Sequence, residues 1–429
     1  MNQSELYVSL DIGSSSIKVL IGEMNEDSLH VIGVGNVKSN GIRKGTIVDI
    51  DATVQSIKKA VSEAERMIGM SINEIVLGIP ANMANIQNVK GVVAVNRDDR
   101  EITDGDLERV IESAQVMSIP PERELINIAP KQFIVDHLEE IKDPRGMIGT
   151  RLELDGIMMT TSKTILHNVL RCVERAGLQI REIYLQPLAG GHFALTEDEK
   201  NHGTAYIDIG GGSTTIAIFN EGHLVSTSVI PVGGDHITKD LSIVLKTPTE
   251  QAEMIKLKYG HAFYDDASDD ELFEVPVIGA DMKEQYSQRY IAEIIGVRLE
   301  ELFEMVLEEF YRLGLQDLPG GVVITGGVSK LEGLGQLARH ILQTRVRLYT
   351  PDYIGVREPQ YTTAVGLIRY AYKEDLFYGK IGDSHALAHS VSNEAVAVSK
   401  KQKQSAQSTN EHKDSAMTKA KRFFDKFFE

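Results

Sequence analysis

The sequence predicts an α/β protein of two lobes built alike, with a small α+β subdomain inserted in the first. Three observations carry that expectation. The chain has 429 residues, more than one compact core of ordinary size accommodates. It writes one strand–turn–strand unit twice, as Tyr7-Val-Ser-Leu-Asp11-Ile-Gly13-Ser14-Ser15-Ser-Ile-Lys18 and as Thr204-Ala-Tyr-Ile-Asp208-Ile-Gly210-Gly211-Gly212-Ser213-Thr214. In both copies an apolar strand ends on Asp, small residues turn the chain, and a second strand follows; Ile17, Val19 and Ile21 alternate in one, and Thr214, Ile216 and Ile218 hold the matching places in the other. Between about residues 82 and 162 the texture changes to short strands around one amphipathic helix, interrupted by Pro120, Pro121, Pro130 and Pro144.

The elements follow in order. Strands are expected over 6–10, 17–22 and 29–34. A helix follows over 51–67, with Asp51 as N-cap and Val54, Ile57, Ala60, Val61, Ala64 and Ile68 at helical spacing. A buried strand occupies 75–79. In the inserted segment, strands at 91–95, 131–135 and 156–161 surround a helix over 103–117 opened by the capping pattern Thr103-Asp-Gly-Asp106. A helix over 163–176 closes at Gly177, a strand covers 183–185, and a helix over 187–195 carries Gly190 and Gly191, where a neighbouring backbone is expected close by. After the second repeat, residues 233–313 read as mostly helical around an acidic loop at 265–271. A helix over 287–311 turns Ile291, Ile294, Ile295, Leu299, Leu302 and Val306 inward and leaves Arg289 and Arg298 to solvent. Gly321-Val-Val-Ile-Thr325-Gly326-Gly327 is a buried strand ending in a glycine turn, and 361–372 is the last core helix.

Composition excludes several functions. Hydrophobic residues make up 42% of the chain, enough for globular cores, and the net charge of −17 argues against a general nucleic-acid binder, which needs a basic surface to displace counterions. One cysteine, Cys172, leaves no intramolecular disulfide to form and fits a reducing compartment; its apolar helical neighbours make it a core thiol. No stretch has the length of a membrane span and no charged head precedes an apolar run, so a cytoplasmic protein that does not cross a membrane is expected.

The repeated turn has a physical use. Small residues let successive backbone N–H groups point into one concavity that attracts phosphate. An Asp at the strand end holds Mg²⁺, usually through water, so two facing copies would clamp a nucleotide. A tight hairpin turn is the plain alternative for either copy alone, but the repeat makes it a poor account of both. Lys18 is placed to reach back to a β-phosphate, or else is a solvated strand residue. The Gly326-Gly327 pair lets a flat ring lie against the backbone.

These motifs, in this order, resemble the signature of the actin-like ATPase superfamily, which includes actin, the Hsp70 chaperones and sugar kinases. The resemblance implies two duplicated RNase H-like lobes. It implies ATP and Mg²⁺ as cofactors, with Asp11, Gly13, Ser14, Ser15 and Lys18 as the first phosphate motif and Asp208, Gly210, Gly211, Gly212, Ser213 and Thr214 as the second. Asp11 and Asp208 are the implied metal residues, and Gly326 and Gly327 the adenosine seat. Ala252-Glu253-Met-Ile-Lys256 resembles a helix in bacterial members that reaches the ribose and adenine; the competing reading of Glu253 and Lys256 is a surface pair three apart on a helix.

The whole chain further resembles the FtsA family of bacterial cell-division proteins. The segments 162–177 and 351–361, a linker and a terminal helix carry that resemblance along with the motifs. It implies a first-lobe core (1A) of residues 1–81 and 163–197 completed by 367–378, an inserted subdomain (1C) at 82–162, a second-lobe core (2A) of 198–232 and 302–366, and a subdomain 2B at 233–301. Residues 379–415 are rich in Ser, Gln, Lys and Ala and read as a disordered linker. Residues 416–429, set on a helix, gather Met417, Ala420, Phe423, Phe424, Phe427 and Phe428 within an arc of roughly 140°, with Lys421 at the border and Arg422 opposite. Such a face suits an anionic membrane, and a groove on this protein or a partner is the alternative. One short helix binds reversibly, so stable attachment favours an assembly of many copies. The family pattern also places a groove for the acidic C-terminal peptide of the tubulin-like protein FtsZ near Arg298, or leaves that Arg an ordinary solvated one. The implied function is an ATP-binding protein that polymerises on the cytoplasmic side of the cell membrane at the septum, tethers the FtsZ ring and recruits later division proteins. The competing reading is a kinase or chaperone ATPase of the same fold; no sugar-pocket Asp and no peptide-binding domain is identifiable. Catalytic residues stay open, with Gln186 a candidate for orienting water, and ATP turnover is expected to be weak or absent.

Overall fold

Residues 5–115, 119–279, 283–315 and 317–379 are described by the computed structural model. The first lobe begins as an antiparallel meander of β1 (Glu5–Ile12), β2 (Ser16–Asn25) and β3 (Ser28–Lys38), followed by a two-residue hairpin, β4 (Ile42–Arg43) and β5 (Thr46–Ile47). Helix α1 (Ile50–Ile68) packs Val54, Ile57, Ala60 and Ala64 inward and leads to β6 (Glu74–Ile79), which pairs parallel to β1. The N-cap of α1 is Asp49, not Asp51: its carboxylate accepts from the Ala52 N–H at 3.0 Å. Asp51 lies inside the first turn, where the helix dipole favours an anion, and pairs with Arg175 at the surface.

The inserted segment forms a sheet of its own from β7 (Asn85–Ala94), β8 (Arg123–Val135), β9 (Leu138–Ile141) and β10 (Arg151–Ser162), in the order β7-β10-β8-β9. Helix α2 (Asp104–Gln115) lays Leu107, Val110 and Ala114 against Val89, Ile128, Phe133 and Leu152. Its opening is half a capping box. The Asp106 carboxylate accepts from the Thr103 N–H at 2.9 Å and from the Thr103 hydroxyl at 2.8 Å, so that hydroxyl donates rather than caps. The chain returns through α3 (Lys163–Ala176), closed by Gly177 at φ +92°, and β11 (Gln179–Leu185), which completes the first-lobe sheet β11-β6-β1-β2-β3.

After α4 (Gln186–Ala194) and α5 (Glu197–Asn201) the second lobe repeats the plan. A meander of β12 (Thr204–Ile209), β13 (Thr214–Asn220) and β14 (His223–Ile230) is followed by α6 (Gly234–Val244) and α7 (Thr249–Tyr259). Residues 233–313 are mostly helical, as their pattern implied, but also hold a short hairpin that it did not show. Alternation in Leu272-Phe-Glu-Val-Pro276, with Phe273 and Val275 buried, makes β15 (Leu272–Pro276), which pairs with β16 (Lys283–Ser287). Then come α8 (Gln288–Arg312), β17 (Gly321–Thr325), α9 (Leu334–Leu342), β18 (Val346–Leu348) and α10 (Thr362–Phe377). The sheet order is β14-β13-β12-β17-β18.

The duplication extends to register. Asp11 sits opposite Lys18 on one side and Gly78 on the parallel strand; Asp208 sits opposite Thr215 and Thr325. Ile294 is only half-buried and faces a groove, whereas its neighbours Ile291, Ile295 and Leu299 enter the core. A single apolar cluster unites Ile207 and Ile324 of the sheet with Leu241, Ile295 and Phe303 of the helices, and α8 runs unbroken through residues 301 and 302. Gly190 and Gly191 make room mainly for aromatic side chains: a Cβ there would lie 2.4 Å from the Tyr206 hydroxyl and 2.3 Å from the Phe219 ring. The close backbone approach to α4 comes from α10, where a Cβ on Gly366 would lie 2.5 Å from the Ala189 carbonyl oxygen.

Candidate functional site

The two small-residue turns face each other across one cleft. Asp11, Gly13, Ser14, Ser15, Lys18, Gln186, Asp208, Gly210, Gly211, Gly212, Ser213, Gly326, Gly327, Gln360 and Thr363 line a cavity of about 150 Å³. The turns are in contact. A Cβ on Gly211 would lie 1.7 Å from the Ser15 hydroxyl, and one on Gly212 2.7 Å from Ser14 Cβ, so glycine is required by proximity here rather than by φ. Ser14 accepts from the Gly45 N–H at 2.8 Å, and Ser15 donates to Asp235 at 3.3 Å.

Each aspartate is held at the end of its strand. The Lys18 ammonium stands 3.1 Å from Asp11 Oδ2, and the Gln186 amide donates to Asp11 Oδ1 at 2.7 Å. The Thr363 hydroxyl donates to Asp208 Oδ2 at 3.2 Å. Burial, and then the neighbouring Asp11 charge, push the Asp208 carboxyl up to about 6. Gly326, at φ +93°, passes so near that a Cβ would lie 2.3 Å from Asp208 Oδ1, whereas a Cβ on Gly327 would meet open space.

Not every expected residue reaches the cleft. Thr214 is fully buried and its hydroxyl donates to the Val232 carbonyl at 2.8 Å; Thr215, one residue on, takes the lining position. Glu253 and Lys256 stand behind the second turn. The Lys256 ammonium is buried and spends its donors on the Gly234 carbonyl at 3.0 Å, the Thr238 hydroxyl at 2.8 Å and Glu253 at 2.7 Å, which is not a solvated surface pair. Gly234 in turn donates to the Gly210 carbonyl at 3.0 Å. Gln360 and Thr363 carried no spacing signal, since they reach the cleft from the far end of the chain.

A second concavity lies between α6 and α8. Asp240, Ile243, Val244, Glu293, Ile294, Val297, Arg298 and Glu301 line about 420 Å³. Ile243 and Val297 are more than half exposed. Arg298 does not extend freely into solvent: it forks onto Asp240 at 2.6 and 3.1 Å and also meets Glu301. Met417, Ala420, Lys421, Arg422, Phe423, Phe424, Phe427 and Phe428 lie outside the described residues.

The resemblance to known proteins is extensive. The family model for cell division protein FtsA matches residues 205–366, and the one for the SHS2 domain inserted in FtsA matches residues 82–160. Cell division protein FtsA of Bacillus subtilis (strain 168) is 56% identical over 383 residues, 89% of this chain and 87% of that protein. The chain belongs to the FtsA family of cell-division proteins. The Enterococcus hirae FtsA is 44% identical over 371 residues, covering 86% of this chain and 84% of its own. Among solved structures, a chain of the PilM–PilN type IV pilus biogenesis complex aligns with TM-score 0.57 and 17% identity over 84% of this chain and 97% of its own. MreB5 of Spiroplasma citri bound to ADP aligns with TM-score 0.54 and 14% identity over 88% and 99%. These structural likenesses establish the actin-like fold for this FtsA-family chain.

The cleft residues of this family member fit a nucleotide with a divalent cation. Two carboxylates face one cavity beneath two glycine turns, and Gly327 leaves open space beside them. Among the described residues no three His, Cys, Asp or Glu side chains converge as a ready metal site. At about 150 Å³ the cavity is smaller than the roughly 300–1,000 Å³ usual for small-molecule sites.

Proposed function

We propose that this FtsA-family chain binds Mg²⁺-ATP between its lobes and uses it as a switch for assembly on the cytoplasmic side of the cell membrane. Asp11 and Asp208 hold the cation, Gly13, Ser14, Ser15, Gly211, Gly212 and Ser213 present amides and hydroxyls to phosphate, and Lys18 places positive charge beside them. Gly326 and Gly327 seat the base. When bound, the nucleotide and its cation supply the charge that draws the two turns into one defined spacing. The single observation carrying this reading is the apposition of the two Asp-led turns across one cleft with both carboxylates anchored by donors. Gln186, already committed to Asp11, is the candidate for orienting water, and turnover is slow or absent.

Fixing the lobe angle fixes the surface that meets the next copy. The terminal Phe-rich helix binds anionic lipid, the α6/α8 groove receives the FtsZ tail, and the assembly tethers the FtsZ ring at the septum and gathers later division proteins. Anionic-vesicle co-sedimentation tests the whole: the full chain should pellet, more so with Mg²⁺-ATP, and a chain ending at Gly379 should stay soluble. Equal pelleting of the two would overturn the reading.

A further inference from the structure

The two crossing helices touch the repeated strands in a reciprocal pattern. Helix α4 begins with Gln186, which donates to Asp11 of the first lobe, and four residues on its Gly190 lies against the Tyr206 hydroxyl of the second lobe. Helix α10 begins with Thr362 and Thr363. Thr363 donates to Asp208 of the second lobe, and the next residue, Ala364, accepts through its carbonyl from the Ser9 hydroxyl of the first lobe at 2.8 Å. Ser9 and Tyr206 hold the same place in the repeat, two residues before the aspartate. Each helix therefore binds one lobe's aspartate and rests on the other lobe's strand, and the two helices meet at Ala189 and Gly366.

We propose that Thr363 is a positioning residue for the cation site, the second lobe's counterpart of Gln186, and that the crossed helices set the separation of Asp11 and Asp208. Its position is itself fixed: Thr362 beside it exchanges a hydrogen bond with Thr325 at 2.7 Å, at the end of the strand parallel to β12. With Oδ2 of Asp208 engaged by the Thr363 hydroxyl and Gly326 close against Oδ1, the carboxylate has one orientation relative to the first lobe. A donor to a charged group is among the stronger hydrogen bonds, and removing it frees the carboxylate to rotate.

The inference rests on the reading of Asp11 and Asp208 as cation residues. It is tested in the full chain by titrating Mg²⁺ against binding of a fluorescent ATP analogue. Thr363→Val, which keeps shape and loses the hydroxyl, should raise the Mg²⁺ needed for half-maximal binding about tenfold with little change in binding measured in EDTA, and Thr363→Ser should restore the wild-type titration. A purely structural role would lower the melting temperature of Thr363→Val and leave its Mg²⁺ titration unchanged, which overturns the proposal. Should Thr363→Val not fold, Thr363→Ala is read against Thr363→Ser in the same way. Absence of Mg²⁺-dependent binding in the wild type would refute the cation reading itself, and the positioning role with it.

Discussion

Asp208 is part-buried at the wall of the cleft, and desolvation together with the nearby Asp11 charge pushes its carboxyl up to about 6. Its folded-state value therefore lies above the ordinary 3.8, so its contribution to stability is complete below about pH 4 and is lost as pH rises through about 6. At pH 7 the ionised form costs up to about 3 kcal/mol. Asp208→Asn should accordingly gain stability relative to wild type between pH 4.5 and 7.5 in EDTA, read by urea unfolding, with Mg²⁺ and ATP reversing the order at pH 7.5. Parallel curves would disprove it. Gly326→Ala combines a left-handed φ with a contact no Cβ tolerates, costing at least about 1–3 kcal/mol. It should lower the melting temperature by several degrees and abolish nucleotide binding; an unshifted melt would count against the geometry. Much at this scale was legible: Asp11, Asp208 and their glycines announce themselves because a turn needs small residues at fixed positions. Thr363 did not, because it reaches the site on a helix far along the chain from Asp208. Thr214 misled because a turn pattern says little about which of two adjacent threonines faces inward.

Helix and strand positions were legible where periodicity ran long, as in α1 and α8, and lost where it ran short, as in β15, whose five residues offer too few alternations to mark a strand. The α6/α8 groove shows what an element adds to a residue. Arg298 was singled out as a reader of acidic peptide, yet it is already paired with Asp240 and Glu301, and Glu293 adds a further carboxylate to the rim. Apolar contact with Ile243, Ile294 and Val297 is the larger resource, since each side chain newly buried there contributes roughly 1.5–3 kcal/mol. Val297→Asp should thus weaken binding of an FtsZ tail peptide at least tenfold and more than Arg298→Ala does, by fluorescence anisotropy. The reverse ranking would restore the charge-reading role.

Across the whole molecule, the described residues end at residue 379, and the proposed division of labour follows that boundary. Phe423→Glu together with Phe427→Glu should release the full chain from anionic vesicles while leaving its melting temperature and nucleotide affinity unchanged. Persistent co-sedimentation would refute the anchor. The repeat, read as two lobes, extends in the structure to the register of both sheets, because a duplicated strand–turn–strand unit needs the same parallel neighbour to bury its apolar face. The inserted subdomain was visible as a break in pattern, although nothing in its sequence pointed to its contacts.

One of those contacts concerns α10. Phe377, at the end of that helix, stacks on Phe133 of the inserted sheet at 6.4 Å, and the Arg145 guanidinium lies 5.3 Å from its ring. The same helix carries Thr363 at its other end. A pull applied at Gly379 thus meets an aromatic lock rather than a fraying helix end. The load divides there between the inserted subdomain and a strut running straight to the cleft, which gives the protein the layout of a strain gauge.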